Sequence, residues 1–228
     1  MIDYTNLSWR AILQHIAKTC PGWSEVAHWQ VFVDLIKEYR IHDVLVCGVY
    51  QGRDIAVLSS IFQVAGIKDY KIVGVDLFSD KPGDDWAPED KGKTWEEVVN
   101  MPAPSLKGAQ ENLGLLGMHD NVVLVQSRDI DFLNTTQGKF DFIYLDTAHD
   151  YKTVYDSIQA SRRLLKGPCL IGGDDYEFED KKDNPEDVSP DMWGVRKAVE
   201  DSFSVHQNHN RIWISKLNWY KEQESNNA

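Results

Sequence analysis

Cysteine is sparse in this chain and never clustered. Cys20, Cys47 and Cys169 lie far apart and form no CxxC pair, and an odd, scattered set argues against a disulfide framework. Long apolar runs are also missing, so no segment reads as a membrane span. The N-terminus carries no basic region followed by a small-residue cleavage site, and no signal peptide is read from it. These absences lead us to expect a soluble, cytoplasmic protein with no membrane partner. Positive charge is short as well: 24 Lys and Arg face 36 Asp and Glu, for a formal net charge of −12 at pH 7. Phosphate backbones are bound through basic surfaces, so nucleic acid is not expected as a partner. Internal repeats and low-complexity stretches are absent too.

Apolar material, by contrast, is ample. Of the 228 residues, 42% are hydrophobic and 11% aromatic, enough for one buried α/β core and too much for a disordered chain. Two helical patterns open the chain, over residues 5–18 and 24–39. In the second, Val26, Trp29, Val33 and Ile36 recur at three- and four-residue spacing, the period of a buried helix face. Ser24 is the expected N-cap. Residues 1–40 thus read as an N-terminal helical extension, and 41–228 as a single globular unit. Strand and helix patterns then alternate. Strands are expected at 44–47, 71–76, 122–125, 140–145 and 168–171, and helices at 54–64, 105–116, 151–165 and 193–202. A closing hairpin is read from 204–206 and 211–214, around the turn Asn208-His209-Asn210. Continuously apolar central strands imply a parallel sheet covered on both faces, which is a doubly wound α/β fold. Ligands of such folds sit beyond the carboxyl ends of the strands.

Those ends carry the candidate chemistry. The first strand runs into Gly48-Val49-Tyr50-Gln51-Gly52. Glycines there permit a tight turn and a close approach of backbone to ligand, just ahead of helix N–H donors. An ordinary strand-to-helix turn has the same look, so the loop alone decides little. The second strand ends in Asp76, a carboxylate placed to accept both hydroxyls of a ribose; a turn-capping aspartate is the alternative. The strand at 140–145 runs into Asp146, and the next into Gly172-Gly173-Asp174-Asp175. Neighbouring strands would bring three carboxylates to one rim, where like charges repel unless a cation or proton intervenes. Oxygen-only ligands favour a hard ion, Mg2+ first and Ca2+ or Mn2+ after it. His149 lies three residues beyond Asp146 and is a candidate general base, being an imidazole of ordinary pKa about 6.5. A capping or merely exposed histidine is the plainer alternative.

Three segments carry a family resemblance. They are Phe140-Asp141-Phe142-Ile143-Tyr144-Leu145-Asp146-Thr147-Ala148-His149-Asp150-Tyr151, the stretch Leu164 to Tyr176 with its paired aspartates, and Gly194-Val195-Arg196-Lys197-Ala198-Val199. Together they resemble the macrocin O-methyltransferase group of the class I S-adenosylmethionine-dependent methyltransferases. The resemblance spans about residues 40 to 205, and the DxxH element with the paired Asp is its specific part. It implies a seven-stranded, mostly parallel sheet with an antiparallel last strand, the Rossmann-like methyltransferase fold. It also implies S-adenosylmethionine as cofactor, bordered by Gly48, Val49, Tyr50 and Gly52, with Asp76 on the ribose and Ser127 and Arg128 beside the adenine. Asp146, Asp174 and Asp175 match the family's magnesium ligands, and Asp146 and His149 its catalytic pair, His149 being the base. The implied partner is a small-molecule hydroxyl compound, a sugar or another vicinal diol, and the implied assembly a homo-oligomer. Cys47 stands where the family usually has an acid, and Asp54 where it usually has a small hydroxyl residue. The first 40 residues match nothing in it.

A chain of this kind would move a methyl group in line from a sulfonium to an oxygen, with positioning worth about 7–11 kcal/mol. The long segment 77–104, holding Trp86 and Trp95, is expected to be a substrate lid; a surface excursion packed by its own tryptophans is the alternative. Three rival readings stand beside this one. A nucleotide-dependent dehydrogenase would show a tighter GxGxxG, which is absent. A metal-dependent phosphohydrolase could use the same aspartates without S-adenosylmethionine. A non-catalytic scaffold would bind the cofactor and transfer nothing.

Overall fold

The computed structural model describes residues 7–81, 92–176, 194–204, 206–209 and 211–217. Two helices, α1 (Leu7–Thr19) and α2 (Val26–Tyr39), precede β1 (Asp43–Cys47), α3 (Arg53–Val64) and β2 (Lys71–Asp76). Then follow α4 (Trp95–Val99), α5 (Leu106–Leu115), β3 (Val122–Gln126), α6 (Asp129–Thr135) and β4 (Phe140–Leu145). The chain closes through α7 (Tyr151–Arg162), β5 (Leu165–Gly173), α8 (Val195–Ser202), β6 (Gln207–His209) and β7 (Ile212–Leu217). One seven-stranded sheet results, in the order β3-β2-β1-β4-β5-β7-β6. Strands β1 to β5 pair in parallel, whereas β7 runs antiparallel to β5 and to β6. The doubly wound sheet with an antiparallel final strand is therefore present.

Side chains of the central strands alternate between two cores. Val44 and Val46, with Ile72, Phe142 and Tyr144, pack against α1, α2 and α3. Leu45 and Cys47, with Val73, Val75, Ile143 and Leu145, pack against α6, α7 and α8. Covering both faces with helices makes polar residues costly on either side, which is why these strands read as unbroken apolar runs. Edge position relaxes the demand: Val123 of β3 is 47% exposed. The packing between sheet and helix is tight at β2, where a Cβ on Gly74 would lie 2.5 Å from Ile55 Cδ1 and 2.8 Å from Val49 Cγ2. The three cysteines are buried and unpaired. Among the described residues no helix is long and apolar enough to cross a membrane.

Several local expectations need correction. The N-cap of α2 is Glu25 rather than Ser24, and the Glu25 N–H donates to His28 Nδ1 at 3.1 Å. Ser24 is engaged elsewhere, its hydroxyl accepting the Trp29 indole N–H at 3.2 Å. Helix α6 was not expected: seven residues span barely two turns and leave too little periodicity to read. Strand β5 begins at Leu165, three residues before the expected start, and the hairpin strands are displaced to 207–209 and 212–217. Trp86, with the rest of 82–91, lies outside the described residues.

Candidate active site

The site grows out of the carboxyl end of β1. Gly48, Tyr50 and Gly52 all adopt positive φ, 92°, 51° and 91°, so the loop coils back sharply before α3 begins. A Cβ on Gly48 would fall 1.7 Å from the backbone oxygen of Asp146. Only glycine lets the end of β1 press against the end of β4. Asp76, at the end of β2, fastens this loop. Its Oδ2 accepts the N–H groups of Val49 and Tyr50, each at 2.8 Å, and its Oδ1 accepts that of Phe78 at 2.6 Å. A carboxylate offers about four acceptor positions, so three are used within the chain and about one is left for a ligand. The Ser127 N–H donates to the Asp76 carbonyl at 3.0 Å, and Arg128 is the N-cap of α6. All the residues expected around a nucleoside therefore lie on the β1–β2–β3 half of the rim.

The other half gathers charge. Strands β4 and β5 are neighbours, with Leu145 opposite Gly173, so Asp146 and the Asp174–Asp175 pair leave adjacent strand ends. Burial, followed by repulsion from Asp174 and Asp175, pushes the Asp146 carboxyl well above the usual range, against the pull of His149. Burial and Asp175 push Asp174 up as well. Asp175 goes the other way. Burial acts upward on it, but the hydrogen bond and charge of His149 and the charge of Arg211 outweigh burial and hold its carboxyl below the usual range. His149 Nε2 stands 2.9 Å from Asp175 Oδ2. The Arg211 guanidinium binds the other oxygen of Asp175, and its Nε lies 3.6 Å from Asp174 Oδ1. The His149 backbone is fixed too, its carbonyl accepting the Gly194 N–H at 2.7 Å ahead of α8. A cavity of about 10 Å³, room for about one water, lies at this rim between Asp146, Thr147, Ser157, Asp174, Asp175 and Trp213.

A family model described as a methyltransferase domain matches residues 45–176, from β1 to just past Asp175. The chain belongs to this methyltransferase family. Solved structures share its fold at low identity. An O-methyltransferase from Bacillus cereus in complex with SAH is 15% identical, with a TM-score of 0.60 over 94% of this chain and 91% of that one. TomG from Streptomyces achromogenes, in complex with SAM, is 12% identical, with a TM-score of 0.62 over 94% and 96%. The O-methyltransferase NovP is 15% identical, with a TM-score of 0.62 over 84% and 79%. No curated protein matches the sequence. The class I resemblance read from the three sequence segments thus holds at the level of family and fold.

Some residues of this methyltransferase's rim were not singled out from sequence. Arg211 sits between β6 and β7 and meets Asp175 only through the fold, 36 residues away in the chain. The N-terminal helices also reach the rim. Arg53, at the start of α3, donates to the carbonyls of Ala17, Cys20 and Ser24 at 3.1, 2.8 and 3.1 Å, which fixes the α1–α2 junction beside the glycine loop. From that junction Trp23 meets Tyr50 and Trp95, with ring centroids 4.9 and 5.8 Å away, and Tyr50 and Trp95 are themselves 5.8 Å apart. The described end of the long segment is bonded to the same loop, Tyr50 Oη donating to the Pro102 carbonyl at 2.5 Å and Gln51 Nε2 to that of Ala103 at 2.6 Å. The Trp23–Tyr50–Trp95 trio was hidden in the sequence by separations that only the fold closes.

Proposed function

We propose that this methyltransferase moves a methyl group from S-adenosylmethionine to a hydroxyl oxygen of a small molecule. The observation that carries the reading is the His149–Asp175 pair, 2.9 Å apart, across the rim from a glycine loop fastened by Asp76. The structures of similar fold solved with SAH or SAM, and titled O-methyltransferases, support it. S-adenosylmethionine, when bound, supplies a methyl group activated by its positively charged sulfur. The chain's own residues then hold and deprotonate the acceptor. Gly48, Val49, Tyr50 and Gly52 border the methionine end, Asp76 uses its remaining acceptor position on the ribose, and Ser127 and Arg128 flank the adenine. When His149 is neutral and keeps its proton on Nε2 toward Asp175, its lone pair lies on Nδ1. That nitrogen takes the hydroxyl proton as the oxygen attacks, a contribution of about 10²–10⁴-fold. Asp175 steadies the resulting imidazolium, and Arg211 keeps Asp175 ionised.

Mg2+ assistance belongs to the same proposal, with Asp146, Asp174 and Asp175 as ligands. The donors suit a hard cation: burial and mutual repulsion raise Asp146 and Asp174, and a positive ion would relieve both. Bound there, Mg2+ would lower the pKa of an acceptor hydroxyl. The arrangement suits it less. Among the described residues no group of three His, Cys, Asp or Glu side chains is disposed to hold an ion, and Asp175 already faces His149 and Arg211. That engagement favours a second reading, in which the Arg211 guanidinium is the resident cation of the site and transfer needs no metal. The acceptor is proposed to be a sugar or another ring bearing two neighbouring oxygens, with the Trp23–Tyr50–Trp95 cluster as its flat contact surface.

Calorimetric titration of S-adenosylhomocysteine tests the core of this, with and without Mg2+, for wild type and Asp76→Ala, followed by an acceptor screen over sugars and catechols. Binding lost in Asp76→Ala supports the cofactor reading. No binding in either condition overturns it. Methyl transfer that persists after exhaustive chelation assigns the cation's role to Arg211.

A further inference from the structure

Trp213 of β7 is buried to 1% exposure, and its indole Nε1 is closed off from solvent with no hydrogen-bond partner among the described residues. Buried indole N–H groups ordinarily find an acceptor. The residue stands opposite Gly173 in the antiparallel pairing of β7 with β5. A Cβ on Gly173 would fall 2.8 Å from both Nε1 and Cζ2 of Trp213, and 2.3 Å from the Leu145 carbonyl oxygen. The glycine ahead of the paired aspartates therefore lets the Nε1 edge of the indole reach the strand end that delivers Asp174 and Asp175. Trp213 also borders the cavity of about 10 Å³ at that strand end, together with Asp146, Thr147, Ser157, Asp174 and Asp175.

The wall of that cavity selects its occupant. Thr147 and Ser157 give their hydroxyl protons to Asp129 Oδ2, at 2.9 and 3.0 Å, and ionised aspartates only accept. An anion would be repelled by the carboxylates, and a cation in the cavity itself would face the Trp213 N–H. An apolar group would leave Nε1 unmatched. A neutral oxygen that accepts one hydrogen bond and donates others meets every demand, and the volume suits a single water with about two to four polar partners. Resting on the methyl-transfer reading above, we propose that this cavity binds one water molecule, which accepts the Trp213 Nε1–H and donates to the carboxylates at the ends of β4 and β5. Through that water Trp213 is a positioning residue. It holds Asp146 and Asp174 in place beside the His149–Asp175 pair, which gives the antiparallel strand β7 a part in the chemistry.

The first test needs no variant. A high-resolution crystal structure of the wild-type chain is expected to show an ordered water within about 3.2 Å of Trp213 Nε1 and within hydrogen-bond reach of Asp146 or Asp174. A dry cavity, or an indole N–H bonded to a protein group, overturns the proposal. The second test separates the N–H from the ring's bulk. Trp213 is replaced by benzothienylalanine, which keeps the bicyclic shape and carries sulfur in place of the N–H, and in a parallel variant by phenylalanine, Trp213→Phe. Both are expected to lower kcat by about 5- to 10-fold, the scale of one hydrogen bond, on an acceptor returned by the sugar and catechol screen. The KM for S-adenosylmethionine is expected to stay within about 2-fold, since the N–H stands apart from the glycine loop. A benzothienylalanine protein with wild-type kcat overturns the positioning role and leaves Trp213 as packing alone. Wild type that binds S-adenosylhomocysteine but transfers no methyl group overturns the methyl-transfer reading, an outcome distinct from the crystallographic one.

Discussion

Two groups of carboxylates share one rim of this sheet and are built in opposite ways. Asp76 is fastened by backbone, its oxygens taking three N–H donors from Val49, Tyr50 and Phe78. Asp146, Asp174 and Asp175 are crowded together, two of them raised by burial and repulsion and the third held low by His149 and Arg211. The first arrangement makes a rigid shape. The second stores electrostatic tension, the usual mark of residues placed for chemistry instead of stability. On the proposed reading, the first group serves the binding half of the rim and the second the reacting half.

Substitutions can break that contrast at either end. The largest effect is expected at the reacting half. His149→Ala should lower kcat by about 10²–10⁴-fold on whichever acceptor the screen returns, with S-adenosylhomocysteine affinity nearly unchanged; equal losses in both would remove the distinction. On the binding half, Asp76→Ala strips three backbone donors of their acceptor. We expect a loss of about 3 kcal/mol, seen as a fall of roughly 6–12 °C in Tm, along with the loss of S-adenosylhomocysteine binding.

Arg211→Met probes the one carboxylate of the reacting half that is held low. A depressed pKa in the folded chain contributes stability that is present above the unfolded value of about 3.9 and lost as pH falls through the folded one. The variant should therefore cost about 2 kcal/mol at pH 7, roughly 4–8 °C, and its gap from wild type should close below about pH 4. Asp146→Asn is the smallest change and has the opposite sign. A raised carboxyl penalises the folded state increasingly as pH climbs from the unfolded value of about 3.9 toward its folded pKa, and no penalty exists below the unfolded value. Removing it should raise Tm by roughly 2–4 °C at pH 7, about 1 kcal/mol, and the gain should vanish toward pH 4. Thermal scans of both variants across that range decide the point; a gain for Asp146→Asn that is flat with pH would show that the tension is not electrostatic.

How much of this was legible in the sequence follows from range. Strand ends are local: an apolar run that stops at Asp76, Asp146 or Asp174 announces where the sheet's rim lies, and the order of runs announces the fold. Helix α6 was lost because so short a segment carries no period. Ser24 was taken for a cap because its residue type suits one, whereas the fold assigned its hydroxyl to Trp29. Arg211 left no local trace, since an arginine in a turn looks solvated until β7 is placed against β5. Arg53 was not singled out, because its partners lie in a stretch that matched no family pattern, and only the packed structure ties the first 40 residues to the start of α3.

The pairing of β1 with β4, which sets Val44 beside Phe142, also orders events in time. At about 5–20 residues per second, a ribosome needs on the order of 5–20 s to pass from one strand to the other. During that interval β1, α3 and β2 can already form a nascent α/β unit with the glycine loop in place, while the slot beside β1 stays open. Gly48 meets the Asp146 backbone only once β4 enters that slot, so the binding half of the rim is made first and the reacting half is born late. Such long-range parallel pairing is slow, and until it completes the nascent chain exposes the apolar edge of β1 to whatever reaches it first.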